Sequence, residues 1–304
     1  MPPARSPRAS LARYREWLAD QPLATRSRQT YAAQVGAYVD WLVGAAVDAG
    51  NPLHDGHARD HAVREYKSHL KTVRRVSPRS VNLALAAIDH FYRFLGTGKP
   101  NVRREDLPAR APRALDVDER RRFLRAVERC AGPRDRAVAL LLLYTGLRLG
   151  ECAALNTADV AVSARKGRVI VRSGKDDAHR EVPLNAEARG AVGEWLRFRT
   201  GQLALLAARG APADTGALWL SRTGDRLSPR SIDFVLRRLG KEAGLQLSAH
   251  TLRHTCFTGL VRRSNDLVLV AELAGHRRLE TTRRYSLPSA ADRQAAMEAL
   301  HIDC

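Results

Sequence analysis

A segment rich in proline and arginine, residues 97–114, divides the sequence into two parts. It contains Pro100, Pro108 and Pro112 but few large apolar residues. Proline does not continue a helix, and a segment without apolar side chains cannot form a core of its own, so we expect an interdomain linker here. The 304 residues suffice for about two domains. The sequence therefore predicts one domain over residues 1–96 and a second over residues 115–304.

Helical patterns dominate the part before the linker. Apolar residues recur at helical spacing in residues 11–18, 26–47 and 57–70. A fourth helix is predicted to begin at Ser77 and Pro78, because serine is a favoured N-cap and proline suits the first helical position. The first domain is therefore expected to be helical throughout.

The part after the linker combines helices with short strands. Residues 168–172 and 179–184 have the pattern of two strands around a turn at 173–176, and residues 218–221 are a candidate third strand. Helices are predicted over residues 116–130, 133–143, 186–199 and 232–241, and again towards the C-terminus. The predicted fold class is mostly α with a small β-sheet.

The charge of the chain points to an acidic polymer as its partner. The formal net charge is +19, and only six of the 51 basic residues are lysine. Arginine suits phosphate binding because its planar guanidinium engages two oxygens at once. A merely soluble basic protein, with its arginine content set by a GC-rich genome, is the alternative interpretation.

Neither the cysteines nor the apolar segments suggest export or membrane insertion. Cys130, Cys152, Cys256 and Cys304 form no CxxC pair, which favours reduced thiols in a cytosolic protein. The apolar run at residues 138–144 is too short to span a bilayer. The basic N-terminus lacks a following apolar segment, so we expect a mobile arm and no secretory signal.

Six residues in the second half carry side chains suited to cutting and rejoining a DNA phosphodiester without a metal ion. They are Arg148, Lys175, His250, Arg253, His276 and Tyr285. Their surroundings, TGLRLGE (145–151), HTLRH (250–254), AGH (274–276) and a tyrosine nine residues after that histidine, resemble the tyrosine site-specific recombinases, the Xer, Cre and phage-integrase family. The resemblance covers nearly the whole chain, and the order and spacing of the fragments make it specific.

The resemblance implies an architecture and an activity. The fold would be a helical, SAM-like core-binding domain and an α/β catalytic domain that together form a clamp on DNA. The activity would be site-specific recombination through a 3′-phosphotyrosyl intermediate and a Holliday junction, with no ATP, metal or other cofactor. Its partners would be double-stranded DNA with paired recombination sites and three further copies of the chain in a homotetramer. The free protein would be a monomer or dimer. An accessory protein or a second recombinase would be a further possible partner.

The resemblance also implies a role for each residue. Tyr285 would be the nucleophile, which needs activation because a free phenol has a pKa of about 10. Arg148 and Arg253 would hold the two non-bridging oxygens of the scissile phosphate, where charge builds up in the transition state. Glu151, three residues after Arg148, is expected to orient it by a salt bridge.

The remaining groups are expected to handle protons. Lys175, in the predicted turn seven residues before Val182, would protonate the departing 5′ oxygen; its neighbours Asp176 and Asp177 depart from the small or basic residues usual in the family. His250 would accept the tyrosine proton or bind the phosphate, and His276 would donate to a non-bridging oxygen.

We expect no metal site and a packing role for His254. His250 and His254 are spaced like a pair of metal ligands on a helix, but no third ligand follows at a suitable spacing. His254 is therefore expected to pack inside the domain.

The C-terminus carries a candidate contact between protomers. Residues 291–302 present a small apolar face formed by Ala295, Ala296, Ala299, Leu300 and Ile302. In the family such a tail docks into the neighbouring protomer; a helix packed on its own domain is the alternative.

Two other functions remain open from the residues alone. A type IB topoisomerase shares this chemistry but relaxes supercoils as a monomer, and a catalytically silent DNA-binding regulator would lack the complete set of six. We expect a bacterial cytoplasmic enzyme associated with the nucleoid. The recognised DNA sequence, and a role in chromosome dimer resolution, phage integration or movement of a mobile element, do not follow from the sequence.

Overall fold

The structure, a computed structural model, describes residues 6–45, 50–107, 113–172, 179–276, 279–288 and 290–298. The chain divides into two compact units, Met1–Pro108 and Ala109–Cys304. Within the described residues, no helix combines the length and the apolar character needed to cross a bilayer.

The first unit consists of four helices. They are α1 (Pro7–Ala19), α2 (Thr25–Gly44), α3 (Gly56–Thr72) and α4 (Pro78–Phe94). The predicted start of α4 is confirmed: Ser77 caps the helix by accepting from the Ser80 amide at 3.2 Å, with Pro78 following. The same serine–proline signal at Ser6 and Pro7 starts α1 four residues before the predicted position. Local capping chemistry therefore sets both helix starts.

Aromatic side chains form the centre of this unit. Tyr14, Tyr38 and Tyr92 are fully buried, and the hydroxyl groups of Tyr38 and Tyr92 share a hydrogen bond of 2.7 Å. Part of the proline-rich segment also lies against these helices: Arg104 forms a 2.6 Å ion pair with Asp89 of α4, and Glu105 forms a 2.8 Å ion pair with Lys67 of α3. Residues 104 and 105 are thus anchored to the first unit.

The second unit combines nine α-helices and a short 3-10 helix (Thr157–Asp159) with one small sheet in its described residues. The helices are α5 (Val117–Arg129), α6 (Pro133–Thr145), α7 (Leu149–Ala154), α8 (Ala186–Ala208), α9 (Pro229–Glu242), α10 (Ala249–Ser264), α11 (Leu267–Ala274), α12 (Leu279–Arg283) and α13 (Ala290–Glu298). The strands are β1 (Val160–Val162), β2 (Gly167–Val171) and β3 (Arg180–Pro183). This confirms the predicted fold class.

The sheet is antiparallel, in the order β1-β2-β3, with Val169 of β2 paired to Val160 on one side and Val182 on the other. The prediction of a third strand at residues 218–221 was wrong. Leu220 makes a single bridge, to Arg226, because this buried stretch folds back after a short turn. The third strand is β1, whose three residues are too few to show a periodic pattern.

The core of the second unit forms around α6. Val138, Leu141 and Leu142 are fully buried, so this helix is apolar around most of its circumference. It ends at Gly146, whose φ of +61° lies in the left-handed region. A Cβ atom there would come within 2.7 Å of the Phe257 ring of α10, so only glycine fits. This close contact fixes the direction in which the chain enters α7.

Candidate active site

The predicted catalytic residues of the second unit come from the ends of several elements. Arg148 is the N-cap of α7, His250 and Arg253 lie on α10, His276 follows α11, and Tyr285 follows α12. Lys175, with Asp176 and Asp177, lies outside the described residues, between β2 and β3. The fold brings helix ends together, which the linear spacing of the motifs does not reveal.

Arg148 and Glu151 are joined by a hydrogen bond and a salt bridge at the start of α7. The Glu151 carboxylate accepts from the Arg148 amide at 2.8 Å and from its guanidinium Nη1 at 2.7 Å. The Arg148 side chain is half exposed. The predicted contact between Glu151 and Arg148 is therefore present, and it leaves much of the guanidinium accessible to a ligand.

Arg180 of β3 is a member of this network that the sequence analysis missed. Its Nη2 donates to Glu151 Oε2 at 2.7 Å, and its Nη1 donates to Glu151 Oε1 at 3.1 Å. Burial of Glu151 would raise its pKa, but the hydrogen bonds from Arg180 and Arg148 outweigh that effect and lower it to about 2. A signal existed: Arg180 is two residues before the buried Val182, so both side chains lie on the same face of the strand.

Arg253 is buried and holds two helix ends together. It is 4% exposed, its Nη1 donates to the Gly146 carbonyl at 2.6 Å, and its Nη2 donates to the Ala274 carbonyl at 2.8 Å. These carbonyls lie at the C-terminal ends of α6 and α11, where the helix dipole is negative. Burial and the nearby Arg148 both lower the pKa of Arg253, so two cations share one small region.

His276 is a neutral hydrogen-bond acceptor in this arrangement. Its Nε2 lies 3.0 Å from Arg253 Nη2, and its Nδ1 lies 2.8 Å from the hydroxyl of Thr282. A guanidinium can only donate, so Nε2 must accept and the ring proton must be on Nδ1. Burial and the charges of Arg253 and Arg148 lower the pKa of His276 to about 4. His276 could therefore donate to a phosphate from Nε2 only after it gained a proton.

Tyr285 lies beside these groups in a small apolar cluster. Its side chain is 5% exposed, and its ring stacks on His276 with 5.9 Å between centroids and packs against Phe257 at 5.5 Å. Its amide donates to the Thr282 carbonyl at 2.9 Å. Burial raises the pKa of Tyr285, while the neighbouring Arg253 acts in the opposite direction. The phenol is thus held next to the buried arginine.

His254 lies between His250 and Tyr285. The His254 ring is 4.0 Å from the His250 ring and 5.3 Å from the Tyr285 ring, centroid to centroid. His254 is 7% exposed, and burial together with His250 lowers its pKa to about 4. No group of three histidine, cysteine or carboxylate side chains that could bind a metal occurs among the described residues.

The described part of the C-terminal tail touches its own domain. Asp292 of α13 forms a 2.5 Å ion pair with Arg262 of α10. The apolar face expected in this tail cannot be followed, because Ala299, Leu300 and Ile302, like the side chains of Ala295 and Ala296, lie outside the described part.

The arrangement is suited to binding one phosphate next to a phenol. Arg148 offers an accessible guanidinium that is close enough to the buried Arg253 to lower its pKa. His276 and Tyr285 are in contact with Arg253 and with each other. Fixed cationic donors around a reacting oxyanion stabilise a transition state in which charge increases.

Comparisons with known proteins match both units of the chain. The model of the phage integrase family matches residues 113–291, and that of the phage integrase N-terminal SAM-like domain matches residues 11–96. Tyrosine recombinase XerC of Vibrio parahaemolyticus is 30% identical over 292 residues, covering 91% of this chain and 87% of that protein. XerC of Azotobacter vinelandii is 36% identical over 225 residues, covering 69% of this chain and 70% of that protein.

Solved structures show the same fold. The crystal structure of XerA recombinase, 26% identical, covers 96% of this chain and 98% of its own, with a TM-score of 0.52. XerH site-specific recombinase bound to its difH substrate, 21% identical, covers 90% of this chain and 79% of its own, with a TM-score of 0.70. On these matches and the site they contain, the chain belongs to the phage integrase family and is a tyrosine recombinase.

Proposed function

We propose that the chain carries out site-specific DNA recombination with Tyr285 as its nucleophile. The observation that supports this best is the direct contact among Tyr285, His276 and Arg253: a stacked pair of rings and a 3.0 Å hydrogen bond. Six further tyrosines occur in the chain, but Tyr285 is the one that follows the Gly–His pair and touches the buried arginine.

The chemistry would be an exchange of ester oxygens on phosphorus. The Tyr285 oxygen forms a bond to the scissile phosphorus as the bond to the 5′ oxygen breaks, which leaves a 3′-phosphotyrosine and a free 5′ hydroxyl. A 5′ hydroxyl from the partner strand then attacks and releases the tyrosine. One phosphoester replaces another at each step, so neither ATP nor a metal ion is required.

Arg148 and Arg253 would stabilise the charge that develops on the non-bridging oxygens. Arg253 already donates to two carbonyls and to His276. We therefore propose that a bound phosphate replaces at least one of these acceptors. A bound phosphate would also favour a proton on His276, which could then donate from Nε2. We propose His250 as acceptor of the tyrosine proton and Lys175 as donor to the 5′ oxygen.

Tyr285 is 5% exposed, so a DNA phosphate does not reach it without a change of structure. It follows the five-residue helix α12, a short element with little buried surface of its own. We propose that DNA binding shifts this segment and exposes the phenol.

The proposed partners are double-stranded DNA with paired sites and a homotetramer assembled on them. XerH has been crystallised on its difH substrate and a lambda integrase tetramer on a Holliday junction, which supports this assembly by analogy of fold. We propose that residues 1–96 form a core-binding domain, 97–114 a connection and 115–304 the catalytic domain with its tail. The enzyme would act in the bacterial cytoplasm on nucleoid DNA.

Covalent trapping tests the nucleophile. Chromatin immunoprecipitation of the Tyr285→Phe protein, which would bind without cutting, supplies the DNA site, and a nicked duplex of that site then traps the covalent complex. We expect the wild-type chain to form a complex that survives denaturation and the Tyr285→Phe variant to form none. A complex at full yield with Tyr285→Phe would refute the assignment.

A second assay separates recombinase from topoisomerase. The wild-type chain is incubated with a supercoiled plasmid carrying two copies of the site, or none. We expect recombined products only with two sites. Relaxation of both plasmids without recombination would instead favour the type IB topoisomerase.

A further inference from the structure

Arg180 is nearly buried, and all of its guanidinium nitrogens form hydrogen bonds. Its side chain is 11% exposed, and all three of its guanidinium nitrogens donate: Nη1 and Nη2 to Glu151, and Nε to the Leu273 carbonyl at 3.0 Å. Burying a guanidinium is costly unless its donors are satisfied. A side chain held in this way has one defined position.

Arg180 connects three elements that carry proposed catalytic residues. It begins β3, the strand that follows the segment containing Lys175. It contacts Glu151, which holds Arg148 at the start of α7, and it contacts Leu273 at the end of α11, just before His276. One side chain of the sheet is thus bonded to both α7 and α11.

The backbone at Gly275 is shaped to receive Arg180. Gly275 has a φ of +63°, and a Cβ atom there would come within 2.9 Å of Arg180 Nη1. The glycine that precedes His276 thus leaves space for the Arg180 guanidinium as well as adopting the left-handed turn that ends α11.

The Glu151 carboxylate accepts four hydrogen bonds, two from Arg148 and two from Arg180. Oε1 accepts from Arg148 Nη1 and Arg180 Nη1, and Oε2 accepts from the Arg148 amide and Arg180 Nη2. A carboxylate has about four acceptor positions. Arg180 therefore cancels the charge of Glu151, which would otherwise repel a phosphate and bind Arg148 more strongly.

We propose that Arg180 is a positioning residue for DNA cleavage: it neutralises Glu151 and thereby leaves the Arg148 guanidinium available to the scissile phosphate. This rests on the proposed function, in which Arg148 binds that phosphate. Arg180 itself touches no reacting atom.

The first test measures single-turnover cleavage of the nicked substrate by Arg180→Met. Methionine keeps much of the side-chain volume and removes the charge and the donors. We expect the rate of covalent complex formation to fall about a hundredfold, as small displacements of catalytic groups do, with little change in DNA affinity. Arg180→Lys, which restores one charge but not the paired hydrogen bonds, should recover part of the rate.

A matched control comes from the same hairpin. Arg168 of β2 forms a 3.2 Å ion pair with Glu181 of β3, and both side chains are more than half exposed. Arg168→Met removes an arginine–glutamate pair from the sheet without touching α7 or α11. We expect it to cleave at nearly the wild-type rate.

A second substitution separates positioning from general damage to the fold. In Arg180→Met the charge of Glu151, no longer neutralised by Arg180 and left to Arg148 alone, is the proposed cause of the defect. Adding Glu151→Gln to Arg180→Met should therefore raise the rate at least about tenfold. If Arg180→Met fails to fold, the double variant, which has neither the Arg180 nor the Glu151 charge, still provides the measurement against Glu151→Gln alone. The proposal would be overturned if the double variant cleaved no faster than Arg180→Met, or if its loss of rate equalled the two single losses combined.

The substrate provides a charge-specific readout. A methylphosphonate at the scissile position lacks one negative oxygen and depends less on arginine. We expect the deficit of Arg180→Met to shrink on this substrate, whereas a general structural defect would be equal on both. If the wild-type chain forms no covalent complex, the proposed function fails; if it does and Arg180→Met matches its rate, only the inference about Arg180 fails.

Discussion

Arg253 illustrates how a buried charge is tolerated at the residue scale. Its guanidinium is 4% exposed, yet it donates to two helix-terminal carbonyls and to His276, and it lies 4.7 Å from the centre of the Phe257 ring. These contacts offset the cost of removing it from water. The same contacts place a cation next to His276 and Tyr285, so one set of interactions serves both stability and the proposed chemistry.

One buried and one half-buried histidine predict how stability depends on pH. The pKa of His254 and of His276 is lowered from 6.5 to about 4, first by burial and then by neighbouring cations or His250. Below pH 6.5 the unfolded chain therefore binds protons that the folded chain does not accept until about pH 4. The free energy of unfolding should fall as the pH drops through this window.

Urea denaturation across that window measures the effect. We expect His254→Gln to lose less stability on acidification than the wild-type chain, because one of the two protons is no longer linked to unfolding. Glu151, whose pKa is lowered from 4.5 to about 2, loses its contribution only at lower pH, so the two effects separate. An equal slope for wild type and His254→Gln would contradict the assignment.

The junction between α6 and α7 is the clearest case at the scale of elements. Gly146 ends α6, and Arg148, two residues later, caps α7. Phe257 of α10 fills the space beside Gly146. The position of Arg148 is therefore set by the packing of three helices, although TGLRLGE appears in the sequence as a local motif.

Gly146→Ala should displace this junction. The added methyl group would overlap the buried Phe257 ring and force alanine into a left-handed conformation. We expect a loss of about 1–3 kcal/mol in the free energy of unfolding, measured by urea denaturation, together with slower cleavage. Gly150→Ala is the matched control, because a Cβ atom on this glycine of α7 has nothing within 4 Å. Equal stability of the two variants would argue against the packing explanation.

At the scale of the whole molecule, the proposed assembly of several copies on DNA requires more than attraction to phosphate. The strong positive charge, +19, provides attraction to the phosphate backbone but no geometry for assembly. The described part of α13 forms an ion pair with α10 of its own chain. The tail thus has at least one contact within the chain, while the contact between protomers implied by the resemblance stays a prediction.

Truncation after Ser289 tests the role of the tail. We expect the shortened chain to bind a single DNA site normally and to fail to join two sites, measured by gel mobility and by a two-site recombination assay. Asp292→Asn removes the ion pair with Arg262 but keeps the tail, so it should retain synapsis if docking between protomers is what matters. Unchanged recombination by the truncated chain would refute the prediction.

Much of the molecule could be predicted from local patterns. The serine–proline starts of α4 and α9, the apolar α6 and the hairpin strands β2 and β3 follow from capping and periodicity, which depend on neighbouring residues only. The strand at residues 218–221 was wrong because a short apolar run is compatible with any buried extended segment.

The sequence by itself determined the helical character of both parts, the ordered set of reactive side chains and the family. Only the tertiary structure decided that Arg253 lies buried between two helix ends, that its guanidinium sets the proton position of His276, and that Arg180 shares Glu151 with Arg148. The physical reason is range: capping and periodicity act between neighbours in sequence, whereas these hydrogen bonds join residues that only the packing of helices and the sheet brings together.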